Sequence, residues 1–312
     1  MNSRNFLAKI LLFGEYGVLK KSRALSIPYD RFSGRLKIGS LNDDYIKKSN
    51  SEIKDLLSYL IKSNQKDHIK ITQFDHDLNE GLFFESTIPV GYGVGSSGAL
   101  VAAIYSQYFY NKIDISNNPN PENFSKLKDI FSKIESFFHG ESSGIDPLNC
   151  YVGLPLLINS NNEIKITKLP SAESESKSGF FIIDSGKSAD TVDFIKKFKN
   201  LFNENGFEDS FQKKFISPTN NCVNSLINHE FNSLPKNFKT LSGFTLDRFS
   251  PMIPKGFNKL WKKGLDNETY FLKLCGSGGG GYLIGFAQDL HKAKNELSNY
   301  KFEIILMPKQ IL

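Results

Sequence analysis

Residues 89–99 read Pro89-Val90-Gly91-Tyr92-Gly93-Val94-Gly95-Ser96-Ser97-Gly98-Ala99. Three glycines at alternate positions and two serines run straight into the apolar segment Leu100–Tyr110, which reads as a helix. Glycine lets the backbone adopt positive φ and lets a ligand approach the main chain. Free N–H groups at the opening of a helix form a site for an anion. Phosphate is the natural guest, and serine hydroxyls suit a metal ion that travels with it. The plainer alternative is a tight strand-to-helix turn that binds nothing.

Two familiar phosphate loops do not fit. Gly93-x-Gly95-x-x-Gly98 matches the dinucleotide fingerprint letter for letter. That fingerprint needs a buried strand directly before it and an acidic residue about 20 positions on. Here Pro89 interrupts the approach, and the segment after the helix reads Tyr110-Asn111-Lys112-Ile113-Asp114. A Walker loop needs Gly-Lys-Ser/Thr, and Ser96-Ser97 lacks the lysine. Any cationic help must come from elsewhere in the chain.

Working outward, 312 residues suffice for one large domain or two modest ones. A hydrophobic content of 39% and a charged content of 23% describe an ordinary soluble globular protein. The net charge of +6 is thinly spread, with pairs at Lys20-Lys21, Lys213-Lys214 and Lys262-Lys263. No long basic tract or nucleic-acid signature accompanies it, so an anionic small substrate is expected rather than nucleic acid. Cys150, Cys222 and Cys275 are odd in number and far apart, which argues against a disulfide framework and against zinc. No signal peptide is evident behind Met1, and no run of eighteen apolar residues suggests a membrane span. A reducing cytoplasm is the expected setting.

The first segment, Phe6–Phe13, is an apolar run broken by Lys9 and reads as a buried strand ending at Gly14-Glu15-Tyr16-Gly17. A lysine there is costly to bury unless something negative meets it. It either snorkels from an edge or sits beside phosphate or a reacting hydroxyl. Further strands are expected at Arg35–Ile38, Ile69–Phe74 and Gly81–Thr87, with an amphipathic helix over Ser49–Ser63. Asp75-His76-Asp77 reads as solvated residues of a turn, because nothing nearby completes a metal site.

After a break at 117–121, a helix begins near Glu122, with Phe124, Leu127, Phe131, Ile134 and Phe138 forming its buried stripe. Glu135 borders that stripe and His139 follows one turn later, so Glu135 is either a salt-bridge partner or a ligand in a cleft. A small-residue loop, 139–147, then delivers Asp146 ahead of a strand at 154–158. Asp146 could equally be a turn or capping residue before Pro147. Residues 171–179 are low in complexity and mark the expected domain boundary. Beyond it lie a strand at Phe180–Asp184, a helix opening at Thr191–Phe198, and helices over 208–240 interrupted at Pro218 and Pro235. Phe271–Phe286 reads as strand, glycine hairpin, strand, and six glycines within eleven residues (276–286) point to a close backbone approach to a ligand. Cys275 reads as a small buried residue rather than a nucleophile.

A strand lysine, a Gly/Ser loop, a helix glutamate and a loop aspartate are the parts phosphoryl transfer needs. At these residues the sequence resembles the GHMP small-molecule kinases, and within them the mevalonate kinase branch. The resemblance rests on Lys9-x-x-Leu-Phe-Gly-Glu-Tyr16, on Pro89-x-Gly-x-Gly-Val-Gly-Ser-Ser-Gly-Ala99, on Glu135-x-x-x-His139-Gly140-x-x-Ser143-Gly144-Ile145-Asp146, and on Lys273-Leu-Cys-Gly-Ser-Gly-Gly-Gly-Gly281. It implies an α+β, two-lobed GHMP kinase fold. An N-terminal lobe of the ribosomal-protein-S5-domain-2-like type (1–172) would carry the ATP and Mg²⁺ site, and a ferredoxin-like C-terminal lobe would span 173–312.

The same resemblance implies an ATP-dependent kinase acting on the 5-hydroxyl of mevalonate, in isoprenoid precursor synthesis. Asp146 would take the hydroxyl proton and Lys9 would stabilise the resulting charge. Ser97 and Glu135 would hold Mg²⁺, and Gly91, Gly93, Val94, Gly95, Ser96 and Ser97 would wrap the nucleotide phosphates. Glu15, Tyr16, His139 and Gly278 would face the acceptor. The chain departs from the family pattern at Leu7-Ala8 (usually Pro-Gly), Tyr16 (usually His), Gly98 (usually Ala), Ser142 (commonly Pro) and Pro147 (frequently Asn). None of these removes a charged catalytic group, but Tyr16 leaves the acceptor open. Phosphomevalonate kinase is the nearest alternative, disfavoured by Gly281 where that branch tends to carry aspartate. A catalytically silent GHMP-fold binding protein is the alternative of another class. Neither nucleic acid nor membrane is an expected partner, and a homodimer is one of the assemblies the sequence leaves open.

Overall fold

The structure is a computed structural model that describes residues 3–63, 65–115, 119–169, 177–188 and 192–305. The chain divides into two compact units. The first comprises residues 1–9, 28–89 and 95–154, and the second comprises 10–27, 90–94 and 155–312. Most of the expected boundary segment, 171–176, lies outside the described residues.

Strand β1 (Phe6–Phe13) falls where the apolar run predicts it. Strand β2 (Ala24–Ile38) is far longer than the expected Arg35–Ile38. Pro28 and Gly34 punctuate its sequence like a turn, but its first six residues are all buried and packing overrides that local signal. Helix α1 (Asp44–Lys62) starts before the expected Ser49, because Asp43 caps it by accepting from the N–H groups of Tyr45 (2.9 Å) and Ile46 (3.1 Å). The expected strand over 69–74 is instead the start of helix α2 (Ile71–Asn79). Phe74 and Leu78, four residues apart, are its buried face, and the Phe74 ring stacks on Tyr108 with centroids 4.0 Å apart. Asp75-His76-Asp77 therefore lies on a helix rather than in a turn, and Asp77 accepts a 2.8 Å bond from the Tyr108 hydroxyl.

Strand β3 (Leu82–Ser86) pairs antiparallel with the second half of β2, in the register Leu36 opposite Phe84. Helix α3 (Ser96–Tyr108) follows the glycine loop and is buried from Gly98 to Tyr105 without interruption, as a helix enclosed on every side must be. Helix α4 (Pro121–His139) opens on an Asn120 cap with Pro121 in its first turn, and buries Phe124, Leu127, Phe131, Ile134 and Glu135. Phe138, expected in the stripe, is only half-buried. Helix α5 (Ile145–Val152) is a correction: Asp146 sits in the first turn of a helix, not on a flexible loop. Tyr105 joins α3, α4 and α5, with its ring 5.0 Å from Phe131 and 5.3 Å from Tyr151.

In the second unit the first half of β2 pairs antiparallel with β4 (Leu156–Ile158), and β4 pairs with β5 (Ile164–Ile166). Strand β6 (Gly179–Asp184) matches the expected Phe180–Asp184. Helices α6 (Val192–Leu201), α7 (Phe207–Phe211), α8 (Ser217–Ile227), α9 (Leu234–Arg248) and α10 (Asn258–Asn267) follow. The chain does not break at Pro218. A π-helical stretch, 212–216, widens the turn ahead of it, so its missing N–H and its ring are accommodated. Pro235 occupies the first turn of α9, where no helical bond is lost. Strands β7 (Phe271–Leu274) and β8 (Tyr282–Ala287) flank the glycine loop as expected, followed by α11 (Leu290–Glu296) and β9 (Phe302–Ile304). These strands form a four-stranded antiparallel sheet in the order β7-β8-β6-β9. Phe198, Phe211, Phe215, Phe244 and Phe249 form an aromatic core among the helices of this unit. Among the described residues no helix is long and apolar enough to cross a membrane.

Candidate active site

In the first unit, the lysine of β1 and the aspartate of α5 meet. Lys9 Nζ lies 2.7 Å from Asp146 Oδ2, with the lysine side chain 2% exposed and the aspartate 35% exposed. Lys9 does not snorkel: it is buried against a carboxylate that retains access to solvent. The phosphate loop packs on both partners. A side chain at Gly95, where φ is +83°, would stand 2.9 Å from Lys9 Cγ, and one at Gly98 would stand 2.9 Å from the Asp146 carbonyl carbon. Glycine at both positions thus lets the loop and the first turn of α3 close on the ion pair. Burial pushes the neighbouring Cys150 thiol well up, so it is an inert packing group whose Sγ donates to the Gly95 carbonyl at 3.8 Å.

A polar cluster follows along α3 and α4. Ser97 Oγ lies 3.1 Å from Glu135 Oε1 and 3.1 Å from His139 Nε2. The hydroxyl has one hydrogen. With Glu135 ionised, Ser97 donates to Glu135 and receives from His139 Nε2–H, which fixes the histidine tautomer. Ser142 closes the other side, its hydroxyl donating to Glu135 Oε2. Burial, and then the charge of Asp146, push the Glu135 carboxyl up to about 7, against the hydrogen bonds from Ser142 and Ser97 and the charge of Lys9. Burial pulls His139 down, with Asp146 opposing. A hydroxyl and a carboxylate oxygen side by side are hard oxygen donors, the kind magnesium takes together with phosphate oxygens.

In the second unit, residues 90–94 supply the first half of the phosphate loop. Gly91 and Gly93 have φ of +78° and +76°, and Val94 is buried. The last glycine loop lies against this segment: Cys275 Sγ donates to the Gly93 carbonyl at 3.7 Å, and Tyr282 N–H donates to the Tyr92 carbonyl at 3.4 Å. Glu15 is buried and its Oε1 lies 2.9 Å from Lys273 Nζ on β7. Tyr16, at a φ of +56° rare for a tyrosine, packs between Phe198 and Phe249 and donates from its hydroxyl to the Ser277 carbonyl at 2.5 Å. Gly278 has a φ of +82°, and a side chain there would stand 3.0 Å from Leu274 Cδ1.

The sequence-predicted residues thus fall into two groups. Lys9, Gly95, Ser96, Ser97, Glu135, His139 and Asp146 share the first unit; Glu15, Tyr16, Gly91, Gly93, Val94 and Gly278 belong to the second. Ser142, which bonds Glu135, and Lys273, which pairs with Glu15, are not among the residues the sequence singles out for the site. Ser142 carries no signal beyond standing where the family commonly has proline. Lys273 was findable: it breaks the apolar run Phe271–Leu274 as Lys9 breaks Phe6–Phe13, and the same cost of burial applies.

Residues 53–153 match the family model "GHMP kinases N terminal domain". No curated protein sequence matches the chain. Solved structures do, across nearly the whole length. An L. major mevalonate kinase in complex with R-mevalonate aligns with a TM-score of 0.64 at 14% identity, covering 99% of this chain and 97% of that one. Streptococcus pneumoniae phosphomevalonate kinase, in complex with phosphomevalonate and AMPPNP, aligns at 0.63 and 14%, covering 98% and 100%. Lactococcus lactis galactokinase complexed with galactose aligns at 0.62 and 11%, covering 97% and 92%. The neighbours span three acceptors at low identity, so they bear on the fold and not on the substrate. The chain carries a GHMP kinase N-terminal domain within a GHMP kinase fold.

Proposed function

We propose that the chain is an ATP-dependent small-molecule kinase that phosphorylates the 5-hydroxyl of mevalonate. The observation that carries this reading is the Lys9–Asp146 pair at 2.7 Å, packed directly beneath Gly95 and Gly98 of the glycine/serine loop. A carboxylate one-third exposed can accept a proton from an incoming alcohol, and the buried ammonium beside it can offset the charge that develops on the oxygen. The alcohol oxygen then bonds to the γ-phosphorus as the bond to the ADP oxygen breaks, and the proton stays on Asp146.

The residues fit the groups this chemistry needs. Left-handed glycines at 91, 93 and 95 and the N-terminus of α3 suit nucleotide phosphates. Ser97 and Glu135 would hold Mg²⁺, which when bound offsets phosphate charge. His139 and Ser142 orient those two donors through the hydrogen bonds described above. Mevalonate as the acceptor is supported by the resemblance of the motifs and by Gly281 at the end of the last glycine loop.

The test is ADP release by the purified chain with Mg·ATP and, in turn, mevalonate, 5-phosphomevalonate, homoserine and galactose. Turnover on mevalonate alone is expected. Turnover on 5-phosphomevalonate instead would keep the chemistry and move the acceptor. ATP analogue binding without turnover on any alcohol would favour a silent binding protein.

A further inference from the structure

Ser142 touches more than the carboxylate of Glu135. A hydroxyl has one hydrogen and two lone pairs. Ser142 gives its hydrogen to Glu135 Oε2 and accepts the Gly144 N–H at 3.0 Å. Acceptance from an N–H two residues on is the ordinary serine turn. Donation by the same hydroxyl to a buried carboxylate is not. Gly144 is the cap residue of α5, offers no side-chain cap, and stands two residues before Asp146. One oxygen atom therefore joins the side chain of Glu135 to the entrance of the helix that carries the base. The two oxygens of Glu135 are committed to different elements, Oε1 to Ser97 on α3 and Oε2 to Ser142 ahead of α5.

The surroundings leave this link little slack. Gly144 has a φ of +72°, and a side chain there would stand 2.1 Å from the Lys128 carbonyl oxygen, so the backbone lies directly on α4. The loop is also seated through its main chain, because the Ser132 hydroxyl donates to the Ser142 carbonyl at 2.6 Å. That second bond does not involve the Ser142 hydroxyl. Seating the loop and reaching Glu135 are thus separable tasks, each testable by its own substitution. All of these residues lie within the first unit.

Building on the kinase reading, we propose that Ser142 is a positioning residue that couples metal binding at Glu135 to the placement of Asp146. When Glu135 is held by a metal ion, the Ser142 hydroxyl is held with it, and the first turn of α5 is steadied through the Gly144 N–H. The coupling is reciprocal: an ordered α5 entrance keeps Glu135 oriented for the ion. Ser142 acts only through Glu135 and Gly144 and takes no part in the proton transfer.

The test measures Mn²⁺ affinity and hydrogen exchange over residues 145–152 in the presence of AMPPNP. It compares the unaltered chain with Ser142→Ala, Ser142→Thr and Ser132→Ala. In the unaltered chain, Mn²⁺ should slow exchange over this segment at least about fivefold, the lower end of ordinary coupling between sites. Ser142→Ala should weaken Mn²⁺ binding about tenfold, as loss of a partner behind a metal ligand does, and should abolish the slowing even at saturating Mn²⁺. Ser142→Thr keeps the hydroxyl and should restore both. Ser132→Ala should lower Tm yet keep the Mn²⁺-dependent slowing.

If Ser142→Ala speeds exchange equally with and without Mn²⁺, Ser142 is only a turn residue and the proposal is overturned. Loss of the slowing in Ser142→Thr and Ser132→Ala alike would mean general loosening of the loop and would overturn it too. If the unaltered chain binds no Mn·AMPPNP, the kinase reading fails and this inference with it. Binding without any slowing in the unaltered chain defeats this inference alone.

Discussion

The two units each hold a strand lysine paired to a carboxylate, and the two pairs differ in one respect. Lys9–Asp146 spans 2.7 Å and Lys273–Glu15 spans 2.9 Å, and both lysines are sealed from solvent. Asp146 is 35% exposed whereas Glu15 is 5% exposed. A carboxylate open to solvent can exchange a proton with an arriving alcohol and shed the desolvation cost of its own charge. A sealed one has its charge fixed by its partner and can only hold and orient. The same pairing thus differs by burial: the open pair suits the proposed proton transfer, and the sealed pair suits a fixed charge.

The largest expected effect breaks the open pair. Asp146→Asn retains an acceptor for Lys9 but cannot take the proton, so kcat falls by about 10²–10⁴ with the fold retained. Steady-state ADP release together with circular dichroism checks both halves of that statement. The sealed pair responds instead in stability. Lys273→Met leaves an uncompensated buried carboxylate at a cost of about 3–5 kcal/mol, and Lys9→Met costs less because Asp146 can turn to water. Urea unfolding of the two variants ranks them, and the reverse order would break the comparison.

A smaller effect tests how closely the phosphate loop is fitted to the open pair. Gly98→Ala adds a good helix former to α3, yet its Cβ would press on the Asp146 backbone from 2.9 Å. We expect a loss of about tenfold in kcat, since small displacements of a positioned base are costly. Unchanged kcat with raised Tm would mean that α5 yields without moving the carboxylate.

The smallest effect is a pH dependence. Glu135 is raised from 4.5 to about 7 in the folded chain. Between those values the folded state binds more protons than the unfolded one, so this group makes stability fall as pH rises through that window. In metal-free buffer the Tm of Glu135→Gln should therefore gain on the parent from about pH 5 to pH 7. Because Asp146 contributes to the shift, that gain should shrink in an Asp146→Asn background.

Much of this was legible in the sequence because its signals are local. Phe6–Phe13 with its lysine, the 89–99 loop and the 271–286 strand–glycine–strand run each announce themselves within a few residues. What failed depended on distant packing. Ile69–Phe74 has the β-branched look of a strand, and Phe74 stacking on Tyr108 makes it a helix. Asp146 read as a loop residue because Gly144 and Pro147 flank it, although Pro147 lies in the first turn of α5, where helices accept proline. Ser142 could not be recognised as a partner of Glu135, since a hydrogen bond across a helix end leaves no periodic trace. Lys273 was missed although it interrupts an apolar strand just as Lys9 does.

The most direct measurement follows the phosphorus. ³¹P NMR of the purified chain with Mg·ATP and mevalonate should show ADP and a single new phosphomonoester appearing in equal amounts, both abolished in Asp146→Asn. ADP appearing with inorganic phosphate and no ester, or an ester formed at undiminished rate by Asp146→Asn, would contradict the assignment of the open Lys9–Asp146 pair as the centre of phosphoryl transfer to an alcohol.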